Sequence, residues 1–316
     1  MMNFAQPLDL DVPARAVEFM RGYHAKIMAV ATANGNENHV ALLMPVLAEG
    51  MEPAQLRGFI ESMRAENAPL AGFKLFPKGQ STNSGYAPST EKAAALIDVL
   101  EETGVPLALH MEDPDEPDAS KKEQSAIEKI LPLLIERDGR PRDMKISVEH
   151  ISTARALREV VTRGIWCTIT PHHLGLCQED FGIESPDIAE QFLRGAKPYF
   201  YCKPIIQMRE NQEELRNFWL HGGYGKLMPG TDSAPHIVEK KEANPPAAGI
   251  FMGCAELAYR EAGCADADIS SQLQQYSKNA AEFYGIDVAA LSDAKTPNED
   301  NLHLVKNVRA MTAAFS

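Results

Sequence analysis

The apolar residues of this chain fall into short runs that end in a polar or charged residue, and amphipathic stretches separate the runs. The runs are HVALLMPVL at 39–47, GFKLFP at 72–77, VPLALH at 105–110, KISVEH at 145–150, IWCTITP at 165–171 and YGKLMPGTD at 224–232. A continuous apolar run of this length is what a strand buried on both faces looks like. Between the runs, Pro13–Ala31, Pro53–Glu66, Ser89–Glu102, Ser120–Glu136, Ser152–Arg163 and Asn211–His221 read as helices, several opening on Ser or Pro as helix starts do. The alternation predicts an α/β fold with a parallel sheet wrapped by helices. No repeat, low-complexity tract or Pro/Gly-rich linker divides it, so one domain spans 1–285. An extension over 286–316 follows, with the turn-like TPNEDN at 296–301.

A doubly wound sheet and a (β/α)8 barrel both satisfy that pattern. The polar residues separate them, because Lys74, His110, His150 and Asp232 all sit at or near C-terminal strand ends. Barrel enzymes collect their chemistry at that face, each strand contributing one or two groups. No GxGxxG or GxxxxGK[ST] loop supports a nucleotide-binding sheet. The expected fold is therefore a TIM-type (β/α)8 barrel, with six strands visible where eight close a barrel.

Charge narrows the partner. With 31 Lys and Arg against 44 Asp and Glu, the formal net charge is -13, and no basic run is present to grip nucleic acid or an anionic membrane. A small molecule is the expected ligand. No stretch approaches the roughly 18 apolar residues of a membrane span, and no secretory n-region opens the chain. The 5 cysteines form no CxxC pair, which suits reduced thiols in the cytoplasm.

His110, His150 and Asp232 end separate runs, and imidazole nitrogen with carboxylate oxygen is a donor set for a divalent metal such as zinc. Lys74, in the middle of AGFKLFP, is the odd member. A buried, unpaired amine sheds its proton to escape the cost of desolvation, and a neutral amine can take up carbon dioxide to become a carbamate. A carbamate is a bidentate anion able to bridge two metals roughly 3.5–4 Å apart. The competing reading of Lys74 is a side chain snorkelling to the barrel rim.

The order Lys, His, His, Asp on successive strands, set in FKLFP, LALH, VEHIST, TITPHHL and GTDSAPH, resembles the dihydroorotases of the amidohydrolase superfamily, specifically the shorter bacterial type. The resemblance covers about residues 1–290, and GTDSAPH with the lysine strand is its specific part. It implies a barrel of the metal-dependent hydrolase kind with two zinc ions bridged by a carboxylated Lys74, with His110 and His150 on the second metal and Asp232 as metal ligand and general base. It further implies a substrate loop carrying Ser81 and Thr82, where the family has two threonines, and a carboxylate grip from His236 and the backbone at Ala248. The reaction implied is the reversible opening of dihydroorotate to N-carbamoyl-aspartate in pyrimidine biosynthesis, by a homodimer. His173 neighbours the implied site, and His172 receives no role. His24, His39, His221 and His303 read as surface or packing residues.

One element of the pattern is missing. The family carries an HxH pair and an arginine on its first strand, and no HxH occurs in this chain. The opening MMNFAQPLDL is similar to the segment that ends the family's second strand, which makes Asn3 the substrate-contacting asparagine. The chain is therefore expected to start about two strands late, through a misplaced start, a true truncation or a missing partner chain, with an incomplete reading frame favoured, and to have little or no activity alone. Two other readings stand beside this one: a catalytically inactive structural partner, and an amidohydrolase acting on another cyclic amide such as a hydantoin.

Overall fold

A computed structural model of the chain describes residues 2–3, 8–33, 35, 41–79, 84–234, 236–252, 258–259, 262 and 269–286, with backbone alone at 2–3 and 269–271. In chain order the elements are β1 (Met2–Asn3), α1 (Pro13–Ala33), β2 (Leu43–Met44), α2 (Pro53–Ala65), β3 (Phe73–Leu75), α3 (Thr90–Thr103) and β4 (Leu107–Leu109). There follow α4 (Lys122–Lys129), α5 (Leu131–Ile135), the hairpin β5 (Glu136–Arg137) and β6 (Arg140–Pro141), β7 (Ile146–Val148), α6 (Ala154–Thr162) and β8 (Trp166–Ile169). The last are α7 (Pro171–Gly175), α8 (Ala189–Ala196), α9 (Arg209–His221), β9 (Leu227–Pro229), α10 (Val238–Lys241) and α11 (Ile269–Tyr284).

Strands β3, β4, β7, β8 and β9 form one parallel sheet in that order, and β1 pairs in parallel with β2. Parallel bridges from Leu43 to Leu70 and from Val46 to Lys74 carry β2 onto β3. All six runs singled out in the sequence become strands, and Met2–Asn3 adds a further parallel strand ahead of them. The architecture is that of an incomplete barrel: among the described residues no pairing joins β9 back to β1. The expected C-terminal extension lies outside the described residues apart from Ile286.

Register sorts the side chains into two faces. Phe73, Leu75, Leu107, Leu109, Ile146 and Val148 join the large core beneath the helices. Phe59 of α2, for example, meets Phe73 edge-on with ring centroids 6.2 Å apart. Burying one such side chain contributes about 1.5–3 kcal/mol. The alternate positions face inward, where Lys74 lies opposite Ala108 and Ala108 opposite Ser147. Further round the inner face, Trp166 and Met228 pack on Phe283 of α11, with Trp166 and Phe283 centroids 5.4 Å apart. Gly72 is required where β3 begins, because a Cβ there would lie 2.5 Å from the Pro106 carbonyl oxygen.

The helix starts follow from local chemistry. Ser89 caps α3 by accepting from the Lys92 amide at 3.3 Å, and Thr153 caps α6 by accepting from Ala156 at 3.3 Å. Cys167, Cys177 and Cys202 are free and buried. Among the described residues no helix is long and apolar enough to cross a membrane.

Candidate active site

The inward residue of β3 is Lys74, which is 1% exposed and so does not snorkel to a rim. His110 follows β4 directly, Glu149 and His150 follow β7, and Asp232 lies three residues beyond β9. His150 and Asp232 both take φ of 45°, a left-handed backbone that costs a non-glycine residue about 1 kcal/mol or more. That conformation turns each side chain at the end of its strand. The Thr168 hydroxyl of β8 accepts from the His150 amide at 2.7 Å and fixes the turn.

The two imidazoles face each other, with His110 Nδ1 3.0 Å from His150 Nε2. Glu112 takes the other side of His110, its carboxylate 2.7 Å from Nε2. A carboxylate there holds the His110 proton on Nε2 and turns the Nδ1 lone pair toward His150, the support that metal-binding histidines usually carry. His150 Nδ1 is buried with no partner. Burial lowers the proton affinity of His110, Glu112 opposes it, and Lys74 adds to it. His150 is pushed well below the ordinary imidazole range by burial, then by His110 and Lys74. Both rings are therefore neutral near pH 7, the form that binds metal.

Lys74 is not the unpaired amine the sequence suggested. It forms an ion pair with Glu149, and its ammonium lies 5.0 Å from the centre of the Phe76 ring. Asp232 is open to solvent at the mouth, yet protein surrounds it at longer range. That surrounding protein pushes its carboxyl upward and Lys74 draws it back, while water at its exposed edge damps both. His236 and Ala248, which the resemblance pairs as a carboxylate grip, are in contact: His236 Nε2 lies 2.9 Å from the Ala248 carbonyl oxygen. A bridge from Ser233 to Ile250 zips the two loops together, and Lys241 donates to the Ala247 and Gly249 carbonyls at 2.9 and 2.8 Å.

Lys74, His110, His150 and Asp232 thus share one electrostatic neighbourhood, and His236 with Ala248 forms the loop that follows Asp232. Asn3 is described by its backbone alone, and Ser81 and Thr82 lie outside the described residues. Glu112 and Glu149 went unread in the sequence, although both stand beside a nominated histidine, in HMED and VEH. A cavity of about 470 Å³ lies between the ends of β3 and β4 and helices α3 and α5, and it touches the cluster only at His110.

The donor set fits a divalent metal. Two nitrogens on one tetrahedral zinc lie about 3.3 Å apart, given bonds of roughly 2.0–2.1 Å, and the facing imidazole nitrogens stand 3.0 Å apart. Parallel strands wrapped by helices, with a lysine, two histidines and an acid gathered where the strands end, define a hydrolase barrel of the amidohydrolase class. No family model matches the chain. A dihydroorotase from Idiomarina loihiensis is 31% identical over 249 residues, covering 78% of this chain and 66% of that protein. One from Neisseria meningitidis serogroup B is 30% identical over 97% of this chain and 82% of its own length. The crystal structure of a dihydroorotase from Campylobacter jejuni superposes with a TM-score of 0.61 at 25% identity, over 86% of this chain and 71% of that one. The chain belongs to the dihydroorotase family.

Proposed function

We propose that this protein interconverts dihydroorotate and N-carbamoyl-aspartate, with zinc as its metal, against the expectation that the chain alone has little or no activity. The observation that carries the reading is the pair of neutral, facing imidazoles, His110 and His150, beside a buried lysine and a strained acid. His110 Nδ1 and His150 Nε2 would hold one zinc ion, a carboxylated Lys74 would bridge to a second, and Asp232 would contribute to that second position. Carboxylation forms one N–C bond between the neutral amine and carbon dioxide and releases one proton. Zinc, when bound, supplies an activated water and polarises the ring carbonyl.

The chain's own residues do the rest. Glu112 orients His110 and Thr168 orients His150, while carboxylation would release Lys74 from the ion pair it makes with Glu149 as an ammonium. Asp232 takes the proton from the attacking water and hands it to the ring nitrogen as the C–N bond breaks, so the proton inventory closes within one residue. His236 and the Ala248 backbone hold the substrate carboxylate, with Asn3, Ser81 and Thr82 as further substrate contacts. The same reading carries a cytoplasmic homodimer and a C-terminal extension over 286–316 outside the barrel.

Zinc content and dihydroorotate ring opening test this together. Wild type is expected to retain zinc that His150→Ala loses, and Asp232→Asn is expected to keep the zinc held by His110 and His150 but lose at least about 100-fold in turnover, the lower range for removing an acid-base group. Ring opening that survives Asp232→Asn, or zinc content indifferent to His150→Ala, would overturn the reading. Faster turnover of a hydantoin than of dihydroorotate would move the substrate to another cyclic amide.

A further inference from the structure

We propose a separate metal site, built from His172, His173 and Cys202, that takes a divalent ion favouring nitrogen and sulfur donors, zinc foremost. One donor atom from each of the three lies within 4.8 Å of the others. The residues are 1%, 3% and 0% exposed. The thiol is what sets this site apart, since Lys74, His110, His150 and Asp232 include no sulfur.

His172 points to a ligand most directly. It is buried on α7 and neither ring nitrogen has a hydrogen-bond partner. A buried donor or acceptor left unpaired loses its hydration without compensation, and His172 leaves one of each. Its ring stacks at a tilt on His173, with centroids 4.5 Å apart.

His173 and Cys202 converge on a shared oxygen. Cys202 Sγ and His173 Nε2 each lie 3.1 Å from the Pro204 carbonyl oxygen, while His173 Nδ1 lies 2.8 Å from the Thr170 hydroxyl oxygen. In the metal-free protein the thiol and Nε2–H both donate to that carbonyl. A cation replaces both protons: the Cys202 S–H proton leaves to solvent, and His173 takes the Nδ1–H tautomer and donates to Thr170. Nε2 and the thiolate are then free to bind, and the Pro204 carbonyl faces the ion as a fourth donor. Thr170 is the positioning residue, because it supports the tautomer that ligation needs.

Distance permits this. On tetrahedral zinc, bonds of about 2.0–2.1 Å to nitrogen and 2.3 Å to sulfur place donors roughly 3.3–3.6 Å apart. Side-chain rotation closes what remains from the 4.8 Å upper separation.

Cobalt substitution provides the test, because a thiolate ligand adds a near-ultraviolet charge-transfer band that nitrogen and oxygen donors lack. The full chain loaded with Co²⁺ is expected to show the band, Cys202→Ser to abolish it, and Thr170→Val to weaken Co²⁺ binding about tenfold or more. Lys74→Ala and His150→Ala, which remove the sulfur-free site, are expected to leave the band intact, so either proposal can fail without the other. X-ray absorption at the zinc edge of wild-type protein gives a second reading that needs no variant, with a sulfur neighbour expected at about 2.3 Å. No band and no sulfur neighbour in wild type overturns the site, as does a band that persists in folded Cys202→Ser.

Discussion

Two buried polar clusters flank the end of β7, and they are built on opposite principles. One and two residues beyond β7, Glu149 pairs with Lys74 and His150 faces His110 with its other nitrogen unpartnered. Two residues later, Ser152 and Thr153 surround Glu123 of α4. Their amides donate to its carboxylate at 2.8 Å each, and their hydroxyls donate at 3.1 and 2.6 Å. Both carboxylate oxygens of Glu123 accept from local donors, and Ser152 and Thr153 sit in ordinary backbone. The strand-end cluster instead has two residues at φ of 45°, an orphan nitrogen and three groups, His110, His150 and Asp232, whose proton affinities burial and Lys74 shift. A saturated cluster holds chain to chain. An unsaturated one, kept in place at a cost, is held for a ligand.

The sharpest break in that comparison is Lys74→Ala. Removing the amine leaves Glu149 buried without its partner, which costs roughly 3–5 kcal/mol. Ring opening is expected to fall about a thousandfold or more, the several kcal/mol that metal stabilisation supplies. The double variant Lys74→Met with Glu149→Gln separates the two losses. Thermal unfolding should return most of the stability, because no lone charge remains, while the activity stays lost. If the double variant recovers turnover, Lys74 is a structural counter-ion and the contrast between the clusters disappears.

What was legible in the sequence follows the same division. Strands were readable because both their faces are buried, so Leu107–Leu109 and Ile146–Val148 stand out as apolar runs. Lys74, His110, His150 and Asp232 were readable because a polar residue at the edge of such a run contradicts its surroundings. Glu112 and Glu149 were not, since an acid in HMED or VEH has the same composition as a solvated turn, and only the fold turns it inward. The convergence of His172, His173 and Cys202 was hidden for another reason: the HH pair is local, but Cys202 reaches it through about thirty intervening residues whose path no periodicity encodes. His236 and Ala248 came from resemblance, and the loops that join them carry no regular pattern at all.

Acid should unfold the metal-free protein through its histidines. Burial lowers His173 from 6.5 to about 4, and it lowers His110, His150 and His172 in the same direction. Below pH 6.5 the unfolded chain takes up protons that the folded rings refuse. Their contribution is therefore complete above 6.5 and is lost as the pH falls toward 4. For His173 alone the loss reaches roughly 3 kcal/mol. Chemical denaturation of the metal-free protein between pH 7 and 4.5 measures it, and His173→Gln is expected to flatten the slope by that share. An unchanged slope would mean that His173 already carries its proton in the folded state, which would also remove it as a metal donor.

Glu123 gives the smallest effect and the opposite sign. Burial raises its carboxyl from 4.5 to about 7, outweighing the four donors that pull it down. An acid raised in the folded state contributes stability that is complete below 4.5 and is lost as the pH climbs through 7. Glu123→Gln keeps the shape but, with its NH2 in the place of Oε1, presents a donor to the Ser152 amide, which costs about 1–3 kcal/mol. Because glutamine does not ionise, that cost should be largest near pH 5 and shrink by pH 8, the reverse of the histidine trend. Zinc content should not change, and turnover should fall less than tenfold, since the clamp holds the loop after His150 without touching the ligands. Loss of zinc in a Glu123→Gln protein of normal stability would show that the clamp belongs to the metal centre, and the two clusters would then have to be treated as one.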